Sequence, residues 1–239
     1  MTALLVGLAI AVAAGGVVAV AAPNPRHAVL GAFAAAFAAA FASDPLPDPA
    51  ALVARAGGAV LAGWLLWVAL RHAPRATDRS ALGLPGSAAV AMVALVAGWF
   101  VALSLGTQLA AAGQDATSAI AAAALASGSP VAAAAIGTSF ALVVLAASPV
   151  LVPRDGLRLG LGALLLMIAT ELVVGAIGGG PDNGAAIVFG VLIAGTGAAL
   201  ASIVTLMLRQ PAGLALRDPQ GHELVGHRTL DDAAKADRG

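Results

Sequence analysis

Two charged residues of opposite sign lie inside otherwise apolar stretches of the sequence. Glu171 is the only acidic residue within such a stretch, and Arg55 is the only basic residue well inside another. A charge in hydrocarbon is costly unless it is paired, hydrated or neutralised by a proton. Each residue lies about five or six positions from the end of its stretch, roughly 9 Å deep at about 1.5 Å per helical residue. Glu171 and Arg55 are therefore the main candidates for chemistry.

The similar depth of these two residues predicts a buried ion pair between them. Without a partner each charge is uncompensated, so we expect the stretches that carry Arg55 and Glu171 to be neighbours. Two alternatives stay open at this point. Arg55 could extend to the nearer membrane surface, and Glu171 could be protonated or face a partner chain.

Other polar side chains inside apolar stretches are secondary candidates. They are Gln108, Thr170, Thr196, Ser202 and Thr205. Serine and threonine in such helices usually bond to the backbone of their own helix. By themselves they form no chain of titratable groups.

The composition is that of a membrane protein. Hydrophobic residues make up 60%, charged residues 10%, and the mean hydropathy is +0.97. These values lie far from those of soluble domains. A formal net charge of zero argues against a nucleic-acid partner, and the lack of cysteine excludes disulfides and thiolate sites. We predict an all-α, polytopic protein in a lipid bilayer.

Seven stretches approach the roughly 20 apolar residues that a transmembrane helix needs. They are residues 2–22, 28–43, 50–70, 87–111, 131–152, 157–177 and 184–208. They predict a transmembrane domain over residues 1–210, followed by a polar tail over 211–239. The apolar segment 116–127 is too short to span, so we expect it to be an interfacial or re-entrant helix.

The basic residues predict the orientation of these spans. All 12 Lys and Arg residues except Arg55 follow the first, third, fifth or seventh span. The alternate loops contain Asp44, Asp48, Asp115 and Asp182 and no basic residue. Because basic loops stay in the cytosol, we expect the N-terminus outside and the tail inside, in a multi-pass protein of the cytoplasmic membrane. The tail could dock a cytosolic partner.

Several functional classes are excluded by missing residues. The spans contain no lysine for a retinal Schiff base and no histidine for haem. Nucleotide-binding loops, HExxH and GxSxG motifs are absent. His222 and His227 in the tail have no acidic or cysteine partners, so we predict no metal site. We predict no cofactor, and a non-catalytic subunit or a transporter fits the sequence better than an enzyme.

The stretch 153–210 has the arrangement of a known family. A basic lead-in with Arg154 and Arg158 precedes MIATELVVGAI, which contains Glu171, and a short turn leads to GAALASIVTLMLRQ. This stretch resembles the K subunit of proton-pumping NADH dehydrogenases and component E of hydrogenase-4. The resemblance implies that Glu171 stands at the family's first membrane glutamate, on a proton-conducting axis. Leu200 stands at the second, which would interrupt a proton path through this chain alone.

Three functional hypotheses follow. The first is an accessory membrane subunit of a respiratory or cation/proton-antiporter-type complex, which contributes to proton or ion translocation or to assembly with other membrane subunits. The second is a stand-alone transporter or exporter of ions or small solutes. The third is a structural scaffold subunit, because surfaces rich in alanine and glycine favour close helix packing in lipid.

Overall fold

The computed structural model describes residues 2–42, 48–72, 83–112, 130–151, 156–177 and 183–208. These residues form seven α-helices and one short 3-10 turn, Leu70–His72. The helices are α1 (Thr2–Ala21), α2 (Pro25–Phe41), α3 (Pro49–Ala69), α4 (Gly83–Ala112), α5 (Pro130–Leu151), α6 (Gly156–Ile177) and α7 (Asn183–Leu208). Each predicted apolar stretch therefore overlaps one helix. Three parts of the prediction lie outside the described residues: the segment 116–127, the tail 211–239, and the loop residues Asp44, Asp115 and Asp182.

Five of these helices, α1, α3, α4, α6 and α7, are long and apolar enough to cross a membrane. The other two are apolar but shorter by this measure: α2 has 17 residues, and the apolar part of α5 covers Ala132–Ala147. The described helices are thus compatible with a multi-pass membrane protein.

Proline marks the start of two helices. Pro25 and Pro49 occupy the first turns of α2 and α3, where the missing N–H would have no helical partner anyway. The side chain of Asn24 caps α2 by accepting a hydrogen bond from the backbone N–H of Arg26 at 3.0 Å. Local sequence therefore fixes where these two helices begin.

The helices pack in two rows. One row follows the order α4, α1, α2, α3, and the other follows α5, α6, α7. Across the rows α4 packs on α5, α2 packs on α6, and α3 packs along α7. Among the described residues, α6 contributes more of the largest fully buried side chains than any other helix: Leu157, Leu161, Leu165 and Ile168. It therefore lies at the centre of the core.

Hydrogen bonds identify the helix ends that lie together at one side of the bundle. A guanidinium nitrogen of Arg26 donates to the backbone carbonyl of Arg71 at 2.7 Å, which joins the start of α2 to the turn after α3. A guanidinium nitrogen of Arg158 donates to the carbonyl of Ala22 at 3.4 Å, which joins α6 to the end of α1. We call this side, marked by Arg26, Arg71 and Arg158, the basic end.

The opposite side of the bundle is marked by a reciprocal contact between α3 and α7. The backbone N–H of Asp48 donates to Asn183 Oδ1 at 3.0 Å, and Asn183 Nδ2 donates to Asp48 Oδ2 at 2.5 Å. These bonds place the first residues of α3 and α7 side by side, so the two helices run parallel. We call this side the Asp48 end.

The contact between α3 and α7 is built from small residues. An added Cβ at Gly190 would lie 2.5 Å from the carbonyl oxygen of Ala54, and one at Gly58 would collide with the Gly190 carbonyl. Further along, Gly197 faces Ala62. On the same helix, an added Cβ at Gly195 would have nothing within 4 Å. Gly190 and Gly197 therefore let the two backbones approach each other.

Candidate functional site

The structure brings Arg55 and Glu171 into direct contact. Arg55 Nε donates to Glu171 Oε1 at 2.5 Å, although the two residues are 116 positions apart in the sequence. Arg55 is 3% exposed and Glu171 is 4% exposed. Such hydrogen bonds between charged partners are about twice as strong as neutral ones. The two charges form a neutral unit inside the bundle.

The helix patterns explain why both side chains point inward. In α3 the buried face carries Ala51, Arg55, Gly58 and Ala59, so Arg55 is surrounded on its own helix by small residues that leave room for a guanidinium. In α6 Glu171 lies three residues after Ile168 and seven residues, about two turns, after the buried Leu164. The charged side chains therefore extend the buried faces of their helices.

Arg55 also binds the end of a third helix. Its Nη2 donates to the carbonyl of Ala39 at 3.2 Å, in the last turn of α2. This carbonyl also accepts a hydrogen bond from the backbone N–H of Ala42 at 3.1 Å. Carbonyls in the last turn of a helix carry partial negative charge. Because α2 has no basic residue in its own last turn, Arg55 provides the positive charge from α3. One guanidinium thus connects α2, α3 and α6 near the Asp48 end.

The ion pair is the point at which α3 reaches α6. We expected the stretches carrying Arg55 and Glu171 to be neighbours, but the main packing partner of α3 is α7, and α2 also packs against α3. The long side chains of Arg55 and Glu171 connect the two helices. The contact is therefore local and lies near the end of α2.

Apolar side chains continue along α6 from the ion pair towards the basic end. The buried face of α6 from Leu161 to Ile168 carries only apolar residues in this described helix: Leu161, Gly162, Leu164, Leu165 and Ile168. The Thr196 hydroxyl of α7 contacts Met167 Sδ at 3.3 Å, beside this face. Within α6 no buried polar side chain extends the site inward from Glu171.

The secondary candidates bond elsewhere. Thr170 is exposed, and its hydroxyl donates to the Leu166 carbonyl of its own helix at 2.9 Å. Ser202 and Thr205 likewise donate to backbone carbonyls of α7, at 2.9 Å and 2.7 Å. Gln108 belongs to α4, but its side chain is outside the part of the structure that is described. The described bonds of Thr170, Thr196, Ser202 and Thr205 therefore do not include either member of the ion pair.

Sequence reasoning missed two contributions to the Asp48 end. The carbonyl of Ala39 is a backbone atom, so no residue type signals its role at the guanidinium. Asn183 was not singled out, although its position directly after an acidic, glycine-rich turn is typical of a helix start. Both groups complete polar contacts that hold helices together at this end.

No protein-family model, no curated protein and no solved structure matches this chain. The class of protein is therefore defined by the fold and the candidate site alone. The described chain is an all-helical bundle with five helices that could span a membrane, and it contains a buried ion pair near one end.

The two contacts of Arg55 lead to a prediction about lysine. Arg55→Lys keeps the charge, but one ammonium group cannot reproduce the planar, forked contact with both Glu171 and the Ala39 carbonyl. We expect the free energy of unfolding in detergent micelles to fall by about 1.5–3 kcal/mol, the usual contribution of one hydrogen bond to a charged group. Unchanged stability in a denaturant titration would show that the Ala39 contact contributes nothing.

Proposed function

We propose that this chain is an accessory integral membrane subunit of a multi-subunit respiratory or cation/proton-antiporter-type complex, with Glu171 and Arg55 contributing to proton or ion movement. The observation that supports this most is the neutral, buried Arg55–Glu171 pair with apolar residues beyond it on α6. An ionisable pair within membrane helices is a functional-site hypothesis by default. The apolar face of α6 favours a subunit that provides one part of a path over a self-sufficient transporter.

The arrangement of helix ends supports the proposed topology. All seven helices cross the cytoplasmic membrane in this proposal, with the N-terminus outside and the basic end in the cytosol. The bonds of Arg26 and Arg158 group helix ends as alternating directions require, and arginines collect at the same end. A concentration of basic residues at one end agrees with the positive-inside rule.

The position of Leu200 supports a dependence on partners. By the resemblance, a second membrane glutamate would stand there, and the chain instead has a leucine that is only 6% exposed and packs on Gly160 of α6. A buried leucine cannot carry a proton. Any path through Glu171 therefore continues in another subunit or through water at the subunit boundary.

The contact with Ala39 favours a second candidate function. Arg55 donates hydrogen bonds to both Glu171 and the Ala39 carbonyl at the end of α2. A purely structural ion pair would make the same contacts. In that case the chain is a scaffold whose ion pair sets helix positions and moves no ion. The two functions differ in what happens when both charges are removed.

Native mass spectrometry of the tagged protein after mild detergent extraction tests the subunit proposal. We expect stoichiometric membrane partners, including antiporter-like subunits. As a control, the same tag on an unrelated membrane protein of similar hydropathy should not recover them. A clean monomer or homo-oligomer would contradict the proposal and favour a stand-alone transporter.

Removal of both charges tests the role of the pair. The double variant Arg55→Gln/Glu171→Gln leaves no unpaired buried charge, so we expect it to assemble with its partners. Proton transport by membrane vesicles should fall at least about tenfold, equivalent to about 1.4 kcal/mol in the barrier. Dye-detected acidification per assembled complex measures this transport.

Thr170→Val is the matched control, since Thr170 is exposed beside Glu171 and bonds to its own helix. Full transport by an assembled double variant would leave only the scaffold function.

A further inference from the structure

An open groove lies between α3 and α7 on the side of the bundle towards the basic end. Its volume is about 670 Å³, and its lining includes Leu65, Val68 and Ala69 of α3 and Ala201, Ser202 and Thr205 of α7. This volume lies within the roughly 300–1,000 Å³ that is usual for small-molecule sites. We call it the α3–α7 groove.

The groove begins where the tight helix contact ends. Gly197 faces Ala62, and the groove-lining residues of α3 come within the next two turns. The hydroxyls of Ser202 and Thr205 donate to carbonyls of α7 and are not free to face a ligand as donors. The lining therefore presents a mainly apolar surface, which suits a hydrocarbon chain better than a polar solute.

The length of the groove matches one leaflet. Its lining extends over α7 from Ala198 to Leu206. At about 1.5 Å per residue this is roughly 12 Å. Half of the hydrocarbon core of a bilayer is about 15 Å thick. A single acyl chain in the leaflet at the basic end can lie along the groove.

Two arginines lie within one turn of the α3 end of the groove. Arg71 is exposed and follows the groove residue Ala69 by two positions, about 4 Å along a 3-10 turn. The Arg26 guanidinium is held against the same turn by its 2.7 Å bond to the Arg71 carbonyl. The two arginines therefore meet at the turn that follows the α3 side of the groove. Their positive charge is complementary to an anionic headgroup whose chain lies in the groove.

We propose that the α3–α7 groove binds an anionic glycerophospholipid of the leaflet at the basic end, with an acyl chain between the helices and the phosphate at Arg71 and Arg26. This site requires only that the bundle lies in a membrane. It does not depend on the accessory-subunit function, because a scaffold or a transporter would present the same groove. The lipid would stabilise the parallel contact of α3 and α7.

The test compares two arginines at the same end of the bundle. Purified protein is stripped of lipid, incubated with phosphatidylglycerol or with phosphatidylcholine of equal chain length, and analysed by native mass spectrometry. We expect at least fivefold greater retention of phosphatidylglycerol than of phosphatidylcholine by the unchanged protein.

Arg71→Gln should lose most of this preference. Arg158→Gln, which removes one positive charge on α6, should retain it. Ser202→Leu should weaken retention of both lipids by filling the groove.

Other outcomes would overturn the proposal. Equal retention of the two lipids would remove the headgroup contact, and equal losses in the Arg71 and Arg158 variants would show a diffuse charge effect. Retention that is unchanged in Ser202→Leu would place the lipid outside the groove. A protein subunit seated between α3 and α7 in a purified complex would also exclude the lipid.

Discussion

Arg55→Leu should destabilise the protein more than almost any other single substitution. The variant leaves the Glu171 carboxylate buried without its counter-charge and leaves the Ala39 carbonyl without the guanidinium. Breaking a buried pair by removing one partner typically costs about 3–5 kcal/mol. We expect a loss of this size in the free energy of unfolding, measured by denaturant titration of the protein in mixed micelles.

The double variant Arg55→Leu/Glu171→Leu provides the decisive comparison. Apolar residues often replace a buried ion pair at no net cost, because the desolvation penalty of both charges disappears as well. We expect the double variant to recover to within about 1–2 kcal/mol of the unchanged protein, the remainder being the lost bond to Ala39. If the double variant is as unstable as Arg55→Leu alone, the two side chains do not act as a pair. Thr170→Leu, an exposed change beside Glu171, controls for added bulk.

Gly190→Leu should prevent the close packing of α3 and α7. A Cβ at this position would lie 2.5 Å from the Ala54 carbonyl oxygen and 2.7 Å from its carbon, and backbone atoms cannot move aside as a flexible side chain can. Overpacking of a well-packed contact typically costs about 1–3 kcal/mol, and sometimes more. We expect a loss of at least about 3 kcal/mol in the same micelle titration, because the obstacle is backbone.

Gly195→Leu is the matched control for this experiment. Gly195 lies on the same helix, five residues away, and an added Cβ there has no neighbour within 4 Å. Leucine is also the better helix former, so we expect equal or slightly greater stability. Similar losses in the two variants would mean that helix propensity or insertion, and not contact with α3, determines the effect.

Helix positions could be predicted from the sequence because apolar stretches, prolines and glycines mark them directly. The predicted spans 157–177 and 184–208 differ by one residue at their starts from Gly156–Ile177 and Asn183–Leu208. Helix pairing could not be predicted in the same way. Gly190 and Gly195 are identical residues on one helix, yet one touches the backbone of α3 and the other has no neighbour. Composition contains no information about that difference.

The ion pair was accessible to sequence reasoning for a different reason. Charged residues are so costly in apolar stretches that two of them at similar depth already indicate a contact. The direction of each side chain follows from helical spacing, since Glu171 continues the line of Leu164 and Ile168. The carbonyl of Ala39 could not be found, because every residue has one. Only the relative position of α2 and α3 selects it.

The reciprocal contact between Asp48 and Asn183 has a consequence for how the protein is made. The two residues are 135 positions apart, so α3 leaves the ribosome long before its main packing partner exists. At about 5–20 residues per second, α3 waits roughly 7–27 s for α7. During this time its glycine face is uncovered, and Arg55 lacks Glu171 until α6 is synthesised. Biogenesis therefore passes through a state in which α3 carries an unpaired arginine and an uncovered packing surface.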